Sequence, residues 1–313
     1  MSEISNNLVR AVGPIPYGLT NDCMFHFVFQ KDMVALKGLL CSVLHLEPED
    51  IKEIEVCNPL EIGKSFDSKN FVLDLKIKFN NNTIVNLEMQ ILNRGNWPER
   101  SLSYLCRSFD NLNKGDDYRN VFSAIHIGFI DFTLFPDSPE FCATYMMSNV
   151  KTHRIYSSKF TLKVVELNHT ELATYEDKHF KIDRWARLFK ATTWEELKMY
   201  VGDDVAMQSV ANIMYEYNEE EKVRDMCRAR AEAVAFEAFI KEEKERLQVE
   251  LEELEAEMEQ TKVEKAQTEV ALEQTKAEKA QTEVALEQAK AEKAKIEVEN
   301  EKLKAELEYL KQK

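Results

Sequence analysis

The residues best placed to do chemistry lie in one stretch, 71–92, which reads FVLDLKIKFNNNTIVNLEMQIL. Strict alternation on either side of Asn80-Asn81-Asn82 predicts two strands closed by a short polar turn. Phe71, Leu73, Leu75, Ile77 and Phe79 share one face of the first strand, and Asp74, Lys76 and Lys78 share the other. On the second strand Val85, Leu87, Met89 and Ile91 are apolar, while Asn86, Glu88 and Gln90 form the polar face. With the turn centred on Asn81, Asp74 falls directly opposite Glu88. Two carboxylates facing each other across a ladder repel, and a divalent cation between them removes the repulsion by taking their oxygens as ligands. The pattern therefore predicts a magnesium site. The plainer alternative is a hairpin with a wet face on which two charges happen to oppose.

Other elements must hold that hairpin. Thr20-Asn21-Asp22 caps a helical pattern (Phe25, Val28, Phe29, then Leu36, Leu39, Leu40, Val43) over about 22–45, read as two helices or one kinked helix. Asp22 reads most simply as an N-cap or first-turn acid. Residues 51–56 predict a short strand. Asn96-Trp97-Pro98 opens a helix that should run to Lys114-Gly115, with Arg100, Tyr104 and Arg107 on one face. Arg107 is a solvated arginine or a phosphate contact. The near-continuous apolar run from Val121 to Phe132 predicts a strand buried on both faces, and 142–147 and 160–167 are strand-like. From Lys181 onward the pattern is helical.

The C-terminal part is a different material. No Gly or Pro follows Gly202, and EQTKVEKAQTEVAL (259–272) recurs at 273–286 and, diverged, at 287–300. Fourteen residues are two heptads, so one register persists. Leu247, Leu251, Leu254, Met258 and then Leu303, Leu307, Leu310 enrich the ends of that seam, whereas Thr and Lys fill its middle. A parallel coiled coil and a solvated single helix held by Glu/Lys pairs both fit; self-association is the favoured reading, with the arm as spacer or assembly device. The organisation expected is a lead-in at 1–20, a catalytic-type domain at 21–217 and a long helix at 218–313.

Composition narrows the partners. The net charge of −15 argues against a broad polyanion binder. The first 240 residues hold 35 acidic and 27 basic side chains, so any nucleic-acid contact needs a local basic face. No apolar run reaches the roughly 18 residues of a membrane span, and the N-terminus lacks a secretory layout. Six cysteines without Cys-x-x-Cys pairs make structural zinc an unfavoured reading and a reducing, cytoplasmic setting the default.

Thr20-Asn-Asp-Cys-Met-Phe25, Val72-Leu-Asp-Leu75, Asn86-Leu-Glu-Met-Gln90, Arg100-Ser-Leu-Ser-Tyr104 and Ile125-His-Ile-Gly-Phe-Ile-Asp-Phe132, in this order, resemble the PD-(D/E)XK nuclease family transposases, the recombination-promoting nuclease group. The likeness covers roughly 18–200. It implies a restriction-endonuclease-like α/β fold, a mixed sheet flanked by helices, and hydrolysis of DNA phosphodiesters with Mg2+, or Mn2+ in its place. Asp74, Glu88 and Gln90 would be the catalytic residues. Asp74, Glu88 and the Met89 backbone carbonyl would be metal ligands. Asp22, Lys76, Arg100 and Tyr104 would support them, Asp22 around the ligands and Lys76 at the phosphate. Two departures stand out: Leu73 precedes Asp74 where the superfamily name has proline, and Gln90 stands where the wider motif has lysine. Glutamine orients by hydrogen bonds but brings no positive charge, which leaves the general base unassigned. No constellation of three carboxylates suggests strand transfer, so "transposase" reads as an inherited label. The competing expectation is a catalytically silent nuclease-like fold that serves as an interaction module.

Overall fold

Two side chains, Asn21 and Asp32, set the first long helices. Asn21 Oδ1 accepts from Met24 N at the start of α2 (Asp22–Lys31), after a short α1 (Asn6–Arg10). Asp32 Oδ1 accepts from Val34 N at 2.6 Å and starts α3 (Met33–Leu44). The break between them lets each helix turn its own apolar face inward. In this computed structural model, residues 4–58, 75–80 and 82–311 are described, with the side chain of Tyr309 set aside. They form two units, Met1–Phe239 and Ile240–Lys313.

The first unit is built on a mixed sheet. Its strands are β1 (Ile54–Val56), β2 (Leu75–Phe79), β3 (Thr83–Gln90), β4 (Ser123–Ile130), β5 (Cys142–Met146) and β6 (Phe160–Glu166), in the order β1-β2-β3-β4-β6-β5. The first three are antiparallel, β4 and β6 run parallel to β3, and β5 returns antiparallel on the edge. Helix α4 (Trp97–Phe109) is the crossover between the parallel β3 and β4, as such a connection requires. The pairing of β2 and β3 has the predicted register in every described pair, from Leu75↔Leu87 to Phe79↔Thr83.

Alternation then divides the sheet. Val85, Leu87, Met89, Ile127, Phe129 and Val165 pack into the main core with α2 and α3 and with α6 (Ile182–Lys190). Phe25, Phe129 and Phe189 join these layers, with ring centroids 5.1–5.8 Å apart. The other face lies beneath α4. There Gly128 is a requirement, because a Cβ on it would stand 2.0 Å from Trp97 Cζ2. The indole occupies the place where a side chain would have been and fixes the start of α4 over β4. Helix α4 stops at Phe109, short of the expected Lys114-Gly115: Asn111 Oδ1 accepts from Phe122 N at 3.0 Å, which draws the chain into the loop leading to β4.

Helices α5 (Tyr175–His179), α7 (Trp194–Val201) and α8 (Val205–Glu219) complete the layer around α6, and α9 (Glu221–Lys311) follows. In the second unit the leucines of the seam are exposed. The Thr261, Thr268, Thr275 and Thr282 hydroxyls donate to carbonyls four residues back at 2.8–2.9 Å. The polar middle of the seam is thus satisfied within its own helix.

Candidate active site

The polar face of β3 is not wet. Asn86, Glu88 and Gln90 are each under 10% exposed, because α4 covers them. A buried carboxylate must be compensated, and Glu88 is: Arg100 Nε donates to its Oε1 at 2.7 Å, and Arg100 Nη2 stands 2.6 Å from the same oxygen. Arg100 Nη2 also donates to the Tyr104 hydroxyl at 3.3 Å. Helical spacing places these two partners one turn apart, as the sequence suggested.

Below this pair lies His126 of β4, fully buried. The parallel register puts it beside Asn86, whose Nδ2 donates to Nδ1 of the ring at 3.1 Å. The ring proton is therefore on Nε2, 3.7 Å from Glu88 Oε2. Burial, and then the positive charge of Arg100, push the His126 pKa down to about 3, so the ring is a neutral imidazole. Tyr104 stacks over it with centroids 5.9 Å apart and planes 11° from parallel.

Glu88, Met89 and Gln90 end at a cleft of about 510 Å³ beyond the carboxyl end of β3. This is where open α/β sheets commonly hold ligands. Asp22, Arg94, Arg100 and Arg230 also line it. Asp22 is the first residue of α2, with Asn21 as the cap. Its carboxylate is held by Arg230 of α9, whose Nε lies 2.9 and 2.7 Å from the two oxygens. Burial opposes the charge on Arg230, but the hydrogen bond and charge of Asp22 outweigh it, and the guanidinium pKa is raised. Arg94 pairs with Glu237. Gln90 Nε2 donates to Leu92 O at 3.0 Å, and its backbone carbonyl accepts from Asp131 N at 3.1 Å on the β4 side. Alternation along the strand turns the Met89 carbonyl the other way, toward the β2 side.

The residues singled out from sequence thus fall into three groups. Asp22, Glu88, Met89, Gln90 and Arg100 meet at one cleft, and Tyr104 stands behind Arg100. Lys76 pairs with Asn86 in the sheet and its backbone N–H donates to Asn58 Oδ1 at 2.7 Å, but it is not among the residues lining the cleft. Asp74 and the turn centre Asn81 lie outside the described residues. Sequence reasoning named Asn86 and His126 within motifs but gave neither a role, because they become neighbours only through the parallel β3–β4 register. It missed Arg94 and Arg230; the latter sits 208 residues from its partner and carries no local signal. Arg107 is exposed, its guanidinium carbon 5.9 Å from the centre of the Tyr104 ring.

Glu88 is thus buried on β3 with Arg100 and Tyr104 of α4 packed across it. Residues 19–244 match the PD-(D/E)XK nuclease family transposases, and the chain belongs to that family. The match runs through all six strands and into the first turns of α9. Comparison with curated proteins and with solved structures returned no match. Among the described residues, no helix is long and apolar enough to cross a membrane.

Proposed function

We propose that the chain is a divalent-metal-dependent DNA endonuclease that hydrolyses phosphodiesters, linked to recombination or mobile elements and assembled through its C-terminal helix. The observation that carries this reading is the meeting of Glu88, Gln90 and Asp22 with Arg100 at one cleft, on the fold of a nuclease family.

The donors at the cleft fit a hard cation. They are oxygens, the carboxylate of Glu88 and the carbonyl of Met89, the type that magnesium or manganese takes. Among the described residues no three His, Cys, Asp or Glu side chains group to hold a metal, so the reading needs Asp74 as the further ligand beside Glu88 and Met89. When bound, the ion supplies Lewis acidity and lowers the pKa of water. The chain's own groups do the rest. Arg100 holds the Glu88 carboxylate in place and compensates its charge. Neutral His126 supports the other side of that carboxylate without adding charge, and Asn86 fixes its tautomer. Gln90, its amide nitrogen engaged with Leu92, offers its amide oxygen to orient the attacking water. One P–O ester bond breaks, leaving a phosphate monoester and a hydroxyl.

Replacing Glu88 by Gln preserves shape and removes the charge. Cleavage of duplex DNA in Mg2+ should fall by about 10³-fold or more, with the circular dichroism spectrum unchanged. Retained cleavage sinks the assignment. Calorimetric titration of Mg2+ into wild type and Asp74→Ala gives an independent test: binding should vanish in the variant.

A second reading has its own support. Arg100 already neutralises Glu88, and the first 240 residues carry an acidic excess, as befits a silent fold used for assembly. It predicts DNA affinity that is absent or insensitive to salt, whereas phosphate contacts make affinity fall steeply with salt. Self-association rests on the exposed Leu247, Leu251 and Leu254 at one end of the arm and Leu303, Leu307 and Leu310 at the other. Sedimentation equilibrium of the full chain should give an oligomer that dissociates when these leucines become alanine.

A further inference from the structure

The proposed hydrolysis has no cationic side chain from the β3 motif, because Gln90 cannot carry charge. The cleft receives cations from elsewhere. Three guanidinia line it, each anchored by a carboxylate: Arg94 by Glu237, Arg100 by Glu88 and Arg230 by Asp22. They are not equivalent. Arg94 and Arg100 keep about a third of their side chains exposed, whereas Arg230 is 19% exposed and Asp22 13%. Among the described residues all partners of the Arg230 side chain are on Asp22, reached through Nε and Nη2. Among the described residues, no hydrogen bond or ion pair engages Nη1.

The helix carrying Arg230 is also pinned against the cleft. Asn21 Nδ2 donates to Cys227 O at 2.9 Å, one turn before Arg230, and Glu237 pairs with Arg94 two turns after it. Ala231, Val234, Ala235 and Ala238 form the apolar wall between. Small side chains there leave room beside the guanidinium. A planar guanidinium matches phosphate oxygens with parallel N–H bonds, and partial exclusion of water strengthens it. The family match extends past this stretch.

We propose that Arg230 contacts the scissile phosphodiester and supplies the positive charge that Gln90 lacks, with Asp22 as the residue that positions it. The inference rests on the nuclease reading above. It makes the first turns of α9 part of the site rather than the beginning of a spacer.

The test uses the full chain and a labelled DNA duplex. Cleavage in Mg2+ is measured for Arg230→Gln, Arg230→Lys and Asp22→Asn, with melting temperatures alongside. Binding over a range of salt is measured in a Glu88→Gln background, with and without Arg230→Gln, so that no cleavage intervenes. Arg230→Gln should lower kcat/KM about 10²-fold and reduce the slope of log affinity against log salt by about one. Arg230→Lys should restore the slope and part of the rate. Asp22→Asn should lower kcat with the slope unchanged, and combining it with Arg230→Gln should cost no more than Arg230→Gln alone. Unchanged cleavage and slope in Arg230→Gln overturn the proposal. So does faster cleavage, which would make the helix a cover over the cleft. Equal losses in the Gln and Lys variants, with a lowered melting temperature and an unchanged slope, reduce the pair to a structural clamp and also overturn it. If wild type cleaves and Glu88→Gln does not, the nuclease reading stands whatever becomes of Arg230. A wild type that neither binds nor cleaves DNA sinks both.

Discussion

The cleft and the repeat arm both pair glutamate with a basic side chain, for opposite ends. In the first unit, Glu88 meets Arg100 with its carboxylate 6% exposed. In the second, Glu259 meets Lys262, Glu273 meets Lys276 and Glu287 meets Lys290 at 2.9–3.4 Å, all well exposed. The exposed pairs sit in water, gain little from each other and lose little when broken. Glu88 has given up its hydration, so removing Arg100 leaves a carboxylate that the surroundings solvate poorly, whereas Arg100 keeps about a third of its side chain in water. Ion pairs of similar length are thus a helix-solubilising device in one region and a fixed polar constellation in the other. The covering layer, α4 over β3, is what removes Glu88 from water, and arginine rather than lysine gives it a planar partner that reaches one oxygen through two nitrogens.

That contrast can be broken at the layer itself. Gly128→Ala should lower unfolding free energy by about 1–3 kcal/mol, read by urea denaturation, because the new methyl occupies the place of the Trp97 ring. The lifted α4 should also carry Arg100 away from Glu88, so nuclease activity should fall further than stability alone explains. A variant as stable and active as wild type would show that α4 does not depend on this close approach.

The buried imidazole sharpens the comparison through pH. In the unfolded chain His126 titrates near 6.5, and in the folded protein at about 3. Between these values the unfolded state binds the extra proton, so its contribution to stability is present above pH 6.5 and is lost as pH falls toward 3. Melting temperature measured across this window should fall less steeply for His126→Gln than for wild type. Identical slopes would mean that the folded ring takes up a proton at its ordinary pKa.

The smallest effect belongs to the arm. Lys276→Ala removes one exposed pair and should change stability by no more than about 0.5 kcal/mol, by thermal denaturation of the full chain. A larger loss would mean that the arm's charged surface is engaged rather than solvated, which the comparison above does not allow.

Much of the architecture was legible because it rests on local rules. The three-asparagine turn and period-two alternation set the β2–β3 register without reference to anything else in the chain. Asn21 and Asp32 mark helix starts because their short side chains reach N–H groups two or three residues on. The Arg100–Tyr104 spacing follows from the helix pitch. The hidden parts depend on sheet order and on layers. Polar residues alternating with apolar ones signal a wet face only if nothing covers them, and Trp97 on Gly128 brings α4 down over Asn86, Glu88 and Gln90. The end of α4 was misplaced because a tertiary bond, from Phe122 N to Asn111, competes with one more helical turn.

The sequence by itself determined the hairpin, its register, the helical arm with its 14-residue period, and the family. These are written in turns, spacings and repeats, whose physics spans a few residues at a time. Only the tertiary structure decided that Glu88 is buried and paired, that His126 is a neutral ring beside Asn86, and that Arg230 closes on Asp22. Those outcomes depend on which strand lies next to which and on what water is excluded, and no spacing along the chain encodes a solvent boundary.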